Sequence, residues 1–133
     1  RGVALVAWAA LANGFMAGRW TRSEAAGVPV KAYGEGRMVA VYCTEDNFKR
    51  RERAQALADK YKVTLAEVAV AHVLSHPLKP WAVVSTSSLS HLYQLASGSA
   101  LKLTPSDIAF VEGDSELLPP YQTAQRPDGV ATS

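Results

Sequence analysis

Two short apolar runs constrain the fold of this chain more than any other feature. Val3–Trp8 contains no polar residue, and Trp81–Val84 is apolar throughout. Continuous apolar runs of this length are typical of strands that are buried on both faces, as in a parallel sheet. Helical patterns lie between the two runs and after the second. The sequence therefore predicts an α/β fold in the order β-α-α-β-α, with ligands at the C-terminal ends of the strands.

Capping signals predict four helices. The clearest is the capping box formed by Thr64 and Glu67, whose helix should end before Pro77. The other three helices are predicted to begin after Thr44, Ser88 and Thr104 and to end near Lys62, at Gly98 and near Gly113.

Two segments show neither the helical nor the strand spacing of apolar residues. Glycine and proline interrupt residues 19–47, which predicts a long loop, and long loops tend to be functional. Residues 114–133 are rich in proline and poor in apolar residues, which predicts a flexible tail behind a single segment at residues 1–113. The chain begins at Arg1 inside a strand pattern, without Met, so we expect it to be incomplete.

Composition excludes several classes of protein. A net charge of +2 over 133 residues is too small to indicate nucleic acid by itself. The single cysteine, Cys43, excludes an internal disulfide framework and suits a reducing, cytoplasmic compartment. His72 and His76 have no third metal ligand nearby in the sequence, so no metal site is predicted.

The segment Val3–Gly18 has two interpretations. Its apolar, small residues are typical of a signal peptide or membrane anchor. However, the run is shorter than the ~20 residues of a spanning helix and contains Asn13. A strand followed by a turn is therefore the favoured interpretation, with no membrane partner.

The run Ser85–Ser88 is the first candidate for chemistry. Four hydroxyl residues separate the second strand from a helix, and His91 and Gln94 follow at a spacing of three residues. Hydroxyls and free N–H groups at a helix N-terminus suit a phosphate. The alternative is an ordinary polar turn with an N-cap, and the residues alone leave both open.

Two further candidates are ambiguous. Trp8 can stack on a flat cofactor ring where Gly14 admits close backbone approach, or it can belong to the core. The basic run Lys49–Arg53 is typical of a solvated helix face. The alternative is a non-enzymatic interaction or nucleic-acid module built on residues 44–76, although the apolar first turn after Thr64 is unsuited to reading DNA.

Four strings occur in this chain in the order and spacing of one known family. They are Trp8–Arg19, Ala66–Ser75, Val84–Leu92 and Leu101–Pro105. They resemble four segments of the aldo-keto reductases, which are (β/α)8-barrel enzymes that reduce carbonyls with NADPH. In the same order, the segments of that family read Tyr/Trp-Ser-Pro-Leu-x-x-Gly-Leu-Leu-Thr-Gly-Lys, Pro-Ala-Gln-Leu-Ala-Leu-Ala-Trp, Ile-Pro-Gly-Thr-Ser-Ser-Pro-Glu-His-Leu and Leu-x-Leu-Thr-Pro. The resemblance spans residues 3 to about 113. It implies the C-terminal part of a TIM barrel, about its last two βα units.

The resemblance also implies an NADP(H) site, formed by ten residues that follow the two strands. Trp8 matches the aromatic residue that stacks on the nicotinamide, and Ala9, Leu11, Asn13 and Gly14 match the loop along the pyrophosphate. Ser85, Thr86 and Ser87 match the turn around the adenosine 2′-phosphate, with His91 also near that phosphate and Gln94 beside the adenine. The preference for NADP over NAD rests on the 2′-phosphate group.

The chain departs from the family pattern at three places and lacks the family's catalytic set. Ala9 and Ala10 replace Ser-Pro, Leu95 replaces an Asn that contacts adenine, and Ser87 lies where some members have an Arg that pairs with the 2′-phosphate. The family's catalytic Asp, Tyr, Lys and His lie on earlier strands, so no catalytic residue is predicted here. The implied partner is a small carbonyl substrate of the complete enzyme, and not nucleic acid. Since two strands cannot close a barrel, we expect the isolated chain to be partly unfolded, self-associating or dependent on the missing part.

Overall fold

The structure is a computed structural model that describes residues 3–115. Its elements in chain order are β1 (Val6–Ala7), a 3-10 segment (Ala12–Ala17), α1 (Arg22–Ala26), α2 (Gly34–Tyr42), α3 (Glu45–Tyr61), α4 (Leu65–Ser75), β2 (Trp81–Ala82), α5 (Leu89–Ala100) and α6 (Pro105–Glu112). It is a mostly helical α/β structure with a small parallel sheet. The predicted tail lies outside the described residues from position 116 onward.

The two strands pair as predicted but are shorter. They run parallel, with Val6 opposite Trp81 and Ala7 opposite Ala82. The prediction that both faces of the strands are buried is wrong for the described residues, since the exposed fraction is 94% for Val3, 56% for Val6 and 70% for Trp81. The physical reason is that no described layer covers these outward-facing side chains.

The capping signals of three helices are confirmed. Thr64 accepts a hydrogen bond from the backbone N–H of Glu67, whose carboxylate accepts one from the N–H of Thr64 at 2.7 Å. Thr104 forms the equivalent box with Asp107 at the start of α6, and Thr44 caps α3. Each box satisfies backbone N–H groups that have no partner inside the helix.

The prediction of a loop over residues 19–47 is wrong, because this segment contains α1 and α2. Thr21 and Glu24 form a capping box that starts α1. Gly36 does not interrupt α2 but permits close packing, since a Cβ on it would overlap the carbonyl oxygen of Pro29. The glycines that break the sequence pattern therefore serve turns and contacts around two short helices.

The predicted end of α5 at Gly98 is also wrong. The helix continues to Ala100 and Gly98 is buried within it. A Cβ on Gly98 would lie 2.9 Å from the Cα of Glu67, so glycine allows α5 to approach α4 closely. Ser88 precedes the helix without capping it, and its Oγ lies 2.8 Å from that of Ser90.

Helix α3 lies between two apolar clusters. Its C-terminal half packs with α4 and α6 through Ala54, Leu57, Ala58 and Tyr61. Its N-terminal residue Phe48 joins a second cluster with Phe15, Trp20, Ala25 and Val39. The segment that follows β1 is thereby packed against α3.

Candidate functional site

A cleft of about 790 Å³ opens at the C-terminal ends of β1 and β2. The segments that follow the two strands form its walls, and the first residues of α4 and one face of α5 complete it. All ten residues singled out in the sequence line this cleft: Trp8, Ala9, Leu11, Asn13, Gly14, Ser85, Thr86, Ser87, His91 and Gln94. Their roles in binding stay predictions.

The cleft loop, which we define as residues 9–20, has an unusual backbone. Ala9, Ala12 and Asn13 have φ angles of 60°, 48° and 54°, and Gly14 has a φ of 93°. Non-glycine residues with positive φ cost about 1–3 kcal/mol each and persist where the surroundings fix them, often at functional sites. Asn13 and Gly14, which both have positive φ, line the cleft.

The turn after β2 presents hydroxyl groups to the cleft. Ser85, Thr86 and Ser87 are exposed, and the Oγ1 of Thr86 accepts a hydrogen bond from the N–H of Ser88 at 3.1 Å. No side chain caps the N-terminus of α5. Its free N–H groups and the positive end of its dipole therefore add to the hydroxyls, and this combination suits an anion.

The charges in the cleft also favour an anion. No Asp or Glu is among the described residues that line it, whereas Arg19 and His91 are. Arg19 forms an exposed ion pair with Glu35 at 3.2 Å, and its guanidinium lies 4.3 Å from the centroid of the Trp20 ring. The carboxylate of Glu67, at the start of α4, is held by Thr64.

Arg19, Thr64 and Leu65 line the cleft but were not predicted as site residues. Arg19 is the last residue of the matched string Trp8–Arg19. Its positive charge at that position could have indicated a site residue from the sequence. The approach of α4 depends on the packing of α4 against α5, and nothing in the local sequence around Thr64 indicates it.

Trp8 lies at the cleft with 77% of its surface exposed. Trp8 belongs to neither apolar cluster of the described residues, and its stacking role stays a prediction. An exposed indole face beside a polar cleft is suited to stacking on a flat ring.

The basic run on α3 is divided between contacts and solvent, since Arg51 and Arg53 are half-buried whereas Lys49 and Arg50 are exposed. Arg51 donates to backbone carbonyls of the cleft loop, and Arg53 donates to the carbonyl of Val111 at 3.3 Å. Arg50 donates to Asn47 on its own helix. The interaction module on residues 44–76 stays a prediction.

A second, apolar cavity of about 340 Å³ lies between the cleft loop, α3 and α4. His72 lines it, with its Nε2 atom 3.2 Å from a carboxylate oxygen of Glu112. Burial lowers the pKa of His72 in spite of this carboxylate. Across residues 3–115, no three His, Cys, Asp or Glu side chains are grouped so that they could hold a metal ion.

A comparison with models of known protein families shows which family this chain belongs to. Residues 1–114 match the model of the aldo/keto reductase family. The chain belongs to the aldo/keto reductase family. The resemblance found in the sequence is thereby confirmed.

Among curated proteins, this aldo/keto reductase chain is similar to versiconal hemiacetal acetate reductase from Aspergillus parasiticus. The two are 29% identical over 111 residues, which is 84% of this chain and 32% of the relative. The chain therefore spans about a third of that reductase's length. Within the described part of the chain, no helix is both long enough and apolar enough to cross a membrane.

Proposed function

We propose that this chain is the NADP(H)-binding, C-terminal part of an aldo/keto reductase barrel that reduces carbonyl compounds to alcohols. One observation carries the proposal. Ten residues from two distant parts of the sequence, each matched to a cofactor contact by resemblance, line a single cleft at the strand ends. Ligand sites in barrels of this type lie at that end of the strands.

The cleft has the properties that a dinucleotide phosphate requires. Its volume of about 790 Å³ is that of a cleft for a sizeable ligand. Hydroxyls, free N–H groups and Arg19 suit phosphate groups, and the face of Trp8 suits an aromatic ring. These residues fit the cofactor.

Each part of the cleft has a distinct task in this proposal. Ser85, Thr86 and Ser87, with His91 beside them, hold the 2′-phosphate that distinguishes NADPH from NADH. The cleft loop lies along the pyrophosphate through Asn13 and Gly14. Trp8 orients the nicotinamide and shields one of its faces from water. NADPH, when bound, supplies the hydride that reduces a carbonyl carbon.

Proton transfer is assigned to residues outside this chain. Of the tyrosines in residues 3–115, none lines the cleft, and Tyr33 and Tyr93 are exposed on α2's N-terminal side and on α5. A carbonyl oxygen that accepts a hydride also needs a proton from an acid within hydrogen-bond reach. We assign that acid to the earlier strands of the proposed barrel.

The exposed strand faces support a barrel. Val3, Val6 and Trp81 are apolar and exposed on strands that belong to a parallel sheet. Parallel strands normally have both faces covered and neighbours on both edges. Further strands of a barrel would cover these faces and pair with the free edges of the two strands.

The test is the binding of NADPH and NADH to the protein expressed from its complete gene. We expect NADPH to bind more tightly than NADH. The triple variant Ser85→Ala, Thr86→Ala, Ser87→Ala should weaken NADPH binding by about tenfold or more and leave NADH unchanged, because the loss of even one hydrogen bond to a charged group costs about 1.5–3 kcal/mol. Ser99→Ala, at the far end of α5, is the matched control. Equal affinity for the two cofactors, or an equal loss for both in the triple variant, would contradict the proposal.

A further inference from the structure

Arg51 joins the middle of α3 to the far end of the cleft loop. Its Nη1 atom lies 2.9 Å from the carbonyl oxygen of Trp20, 3.2 Å from that of Arg19 and 3.3 Å from that of Phe15. One guanidinium nitrogen therefore lies within hydrogen-bond distance of three backbone carbonyls of the same loop. A charged donor makes stronger hydrogen bonds than a neutral one.

Two aromatic rings hold the guanidinium of Arg51 in place. Its central carbon lies 4.5 Å from the ring centroid of Phe15 and 4.9 Å from that of Phe48. These two rings contact each other edge to face, with centroids 5.2 Å apart. Because the planar guanidinium can both stack and donate, a lysine at this position could not reproduce the arrangement.

The cleft loop needs external support because its backbone is strained. Ala9, Ala12, Asn13 and Trp20 all have φ angles between 48° and 62°. Such conformations persist where neighbouring groups fix them. Of these four residues Trp20 has its carbonyl fixed by Arg51, which also holds the carbonyls of Phe15 and Arg19 in the same loop. The side-chain amide of Asn13 donates to the hydroxyl of Tyr42 at 3.4 Å.

We infer that Arg51 is a positioning residue: it fixes the strained cleft loop and thereby sets the affinity of the cleft for the cofactor. Arg51 is not among the residues that line the cleft, so it acts through the loop. The inference rests on the proposed function for its effect on cofactor binding, whereas its effect on the loop stands by itself.

The test compares Arg51→Met with Arg53→Met in the protein expressed from its complete gene. Arg53 is a matched control because it is also a half-buried arginine of α3. It donates to a backbone carbonyl as well, but that carbonyl belongs to Val111 of α6 and not to the cleft loop. Both variants lose packing and hydrogen bonds to backbone carbonyls, three in Arg51→Met and one in Arg53→Met. Only Arg51→Met loses the connection to the cleft loop.

Two measurements are made on each variant. The first is amide hydrogen exchange of Gly14, Met16 and Gly18, whose N–H groups donate within the loop. The second is the Kd for NADPH, measured well below the melting temperature of every variant. We expect Arg51→Met to speed the exchange and raise the Kd by about tenfold each, which corresponds to one lost hydrogen bond from a charged donor. Arg53→Met should change neither.

The outcomes separate this inference from the proposed function. Unchanged exchange in Arg51→Met overturns the inference, as does faster exchange with an unchanged Kd for NADPH. If the wild type binds no NADPH, the proposed function fails, and faster exchange in Arg51→Met alone still supports the connection between Arg51 and the loop. If Arg51→Met does not fold, Arg51→Lys carries the same two measurements.

Discussion

At the scale of single residues, Trp8 is the clearest case of a side chain whose position suggests a ligand. An aromatic residue of this size is usually buried, yet Trp8 is exposed beside a polar cleft. Its neighbours Ala9 and Gly14 bring the backbone of the cleft loop to the same place. The side chain is therefore available for stacking.

Trp8→Ala should weaken the binding of NADPH about three- to tenfold, which is the usual contribution of an aromatic pair. The Kd for adenosine 2′,5′-bisphosphate, which has no nicotinamide, should stay at the wild-type value. Tyr93→Ala removes a similarly exposed ring from α5 outside the cleft and should change neither Kd. An equal loss of affinity for both ligands in Trp8→Ala would contradict the stacking role.

Gly98 shows how one residue determines the distance between two helices. A Cβ at this position would lie 2.9 Å from both the Cα and the carbonyl oxygen of Glu67. Those atoms belong to the backbone of α4 and cannot move as a flexible side chain can. Since Glu67 starts α4 at the edge of the cleft, the contact also sets the position of Thr64 and Leu65.

Gly98→Ala should lower the free energy of unfolding by about 1–3 kcal/mol, the usual cost of overpacking. Gly27→Ala is the control, because a Cβ there meets the carbonyl of Glu24 at an ordinary 3.5 Å. Urea denaturation of both variants measures the difference. A stability of Gly98→Ala equal to that of Gly27→Ala would show that α4 and α5 can separate without cost.

At the scale of elements, a buried charge cluster fixes α6 against α3. Asp107 is fully buried and accepts hydrogen bonds from Lys60 and Tyr61, each at 2.7 Å. Burial opposes the negative charge, but the hydrogen bonds from Lys60, Tyr61 and Thr104 outweigh it and lower the pKa of the carboxyl. Only 7% of the Lys60 side chain is exposed.

Asp107→Asn should destabilise the protein by about 3–5 kcal/mol at neutral pH, because it leaves the ammonium of Lys60 buried without its counter-charge. Asp59→Asn, at an exposed position of α3, should change the stability by less than about 0.5 kcal/mol. Urea denaturation measures both. A loss in Asp107→Asn no larger than in Asp59→Asn would contradict the structural role of the pair.

The same cluster predicts a dependence of stability on acid. The pKa of Asp107 is lower in the folded than in the unfolded state. The charged carboxylate therefore contributes fully to the free energy of unfolding above the unfolded pKa of about 3.9. This contribution is lost as the pH falls through the folded pKa. The unfolding free energy of the wild type should therefore decline below about pH 4 more steeply than that of Asp107→Asn. Parallel slopes for the two proteins would contradict the predicted direction.

The elements also show where sequence reasoning succeeds and where it fails. Capping boxes are local signals, and those of Thr64 with Glu67 and of Thr104 with Asp107 start helices that were predicted correctly. The equally local box of Thr21 with Glu24 was missed, because glycines and a proline interrupt the pattern around the short helix α1. Gly36 and Gly98 appear as helix breakers in the sequence because the contacts that require them, to Pro29 and Glu67, come from other elements. The anchoring of the cleft loop by Arg51 is equally non-local, since the partners are 31 to 36 positions apart.

At the scale of the whole molecule, large apolar side chains are exposed on and beside the two strands of the described residues. Val3, Leu5, Val6, Trp81 and Val83 are all exposed on or beside the two strands. Contiguous apolar patches of this kind mark surfaces that contact other chains or elements. The strand positions were predicted from sequence, but their exposure was not, because an apolar pattern predicts buried faces and, in the proposed barrel, the covering strands are not among the described residues.

The 133-residue chain alone should therefore self-associate. Replacing Val6 and Trp81 with Lys should reduce the association, whereas Val30→Lys, at an exposed position away from the strands, should not. Sedimentation velocity measures the distribution of species, and calorimetry measures the cooperativity of melting. A chain that is monomeric and melts cooperatively without ligand would contradict the view that these faces need a partner.

The central claim is that the cleft at the strand ends holds NADP(H). A crystal structure of the protein expressed from its complete gene, grown with NADP⁺, tests it most directly. We expect the adenosine 2′-phosphate within hydrogen-bond distance of Ser85, Thr86 or Ser87 and the nicotinamide stacked on Trp8. NADP⁺ bound elsewhere, or in this cleft with its 2′-phosphate away from the hydroxyl turn, would contradict the account.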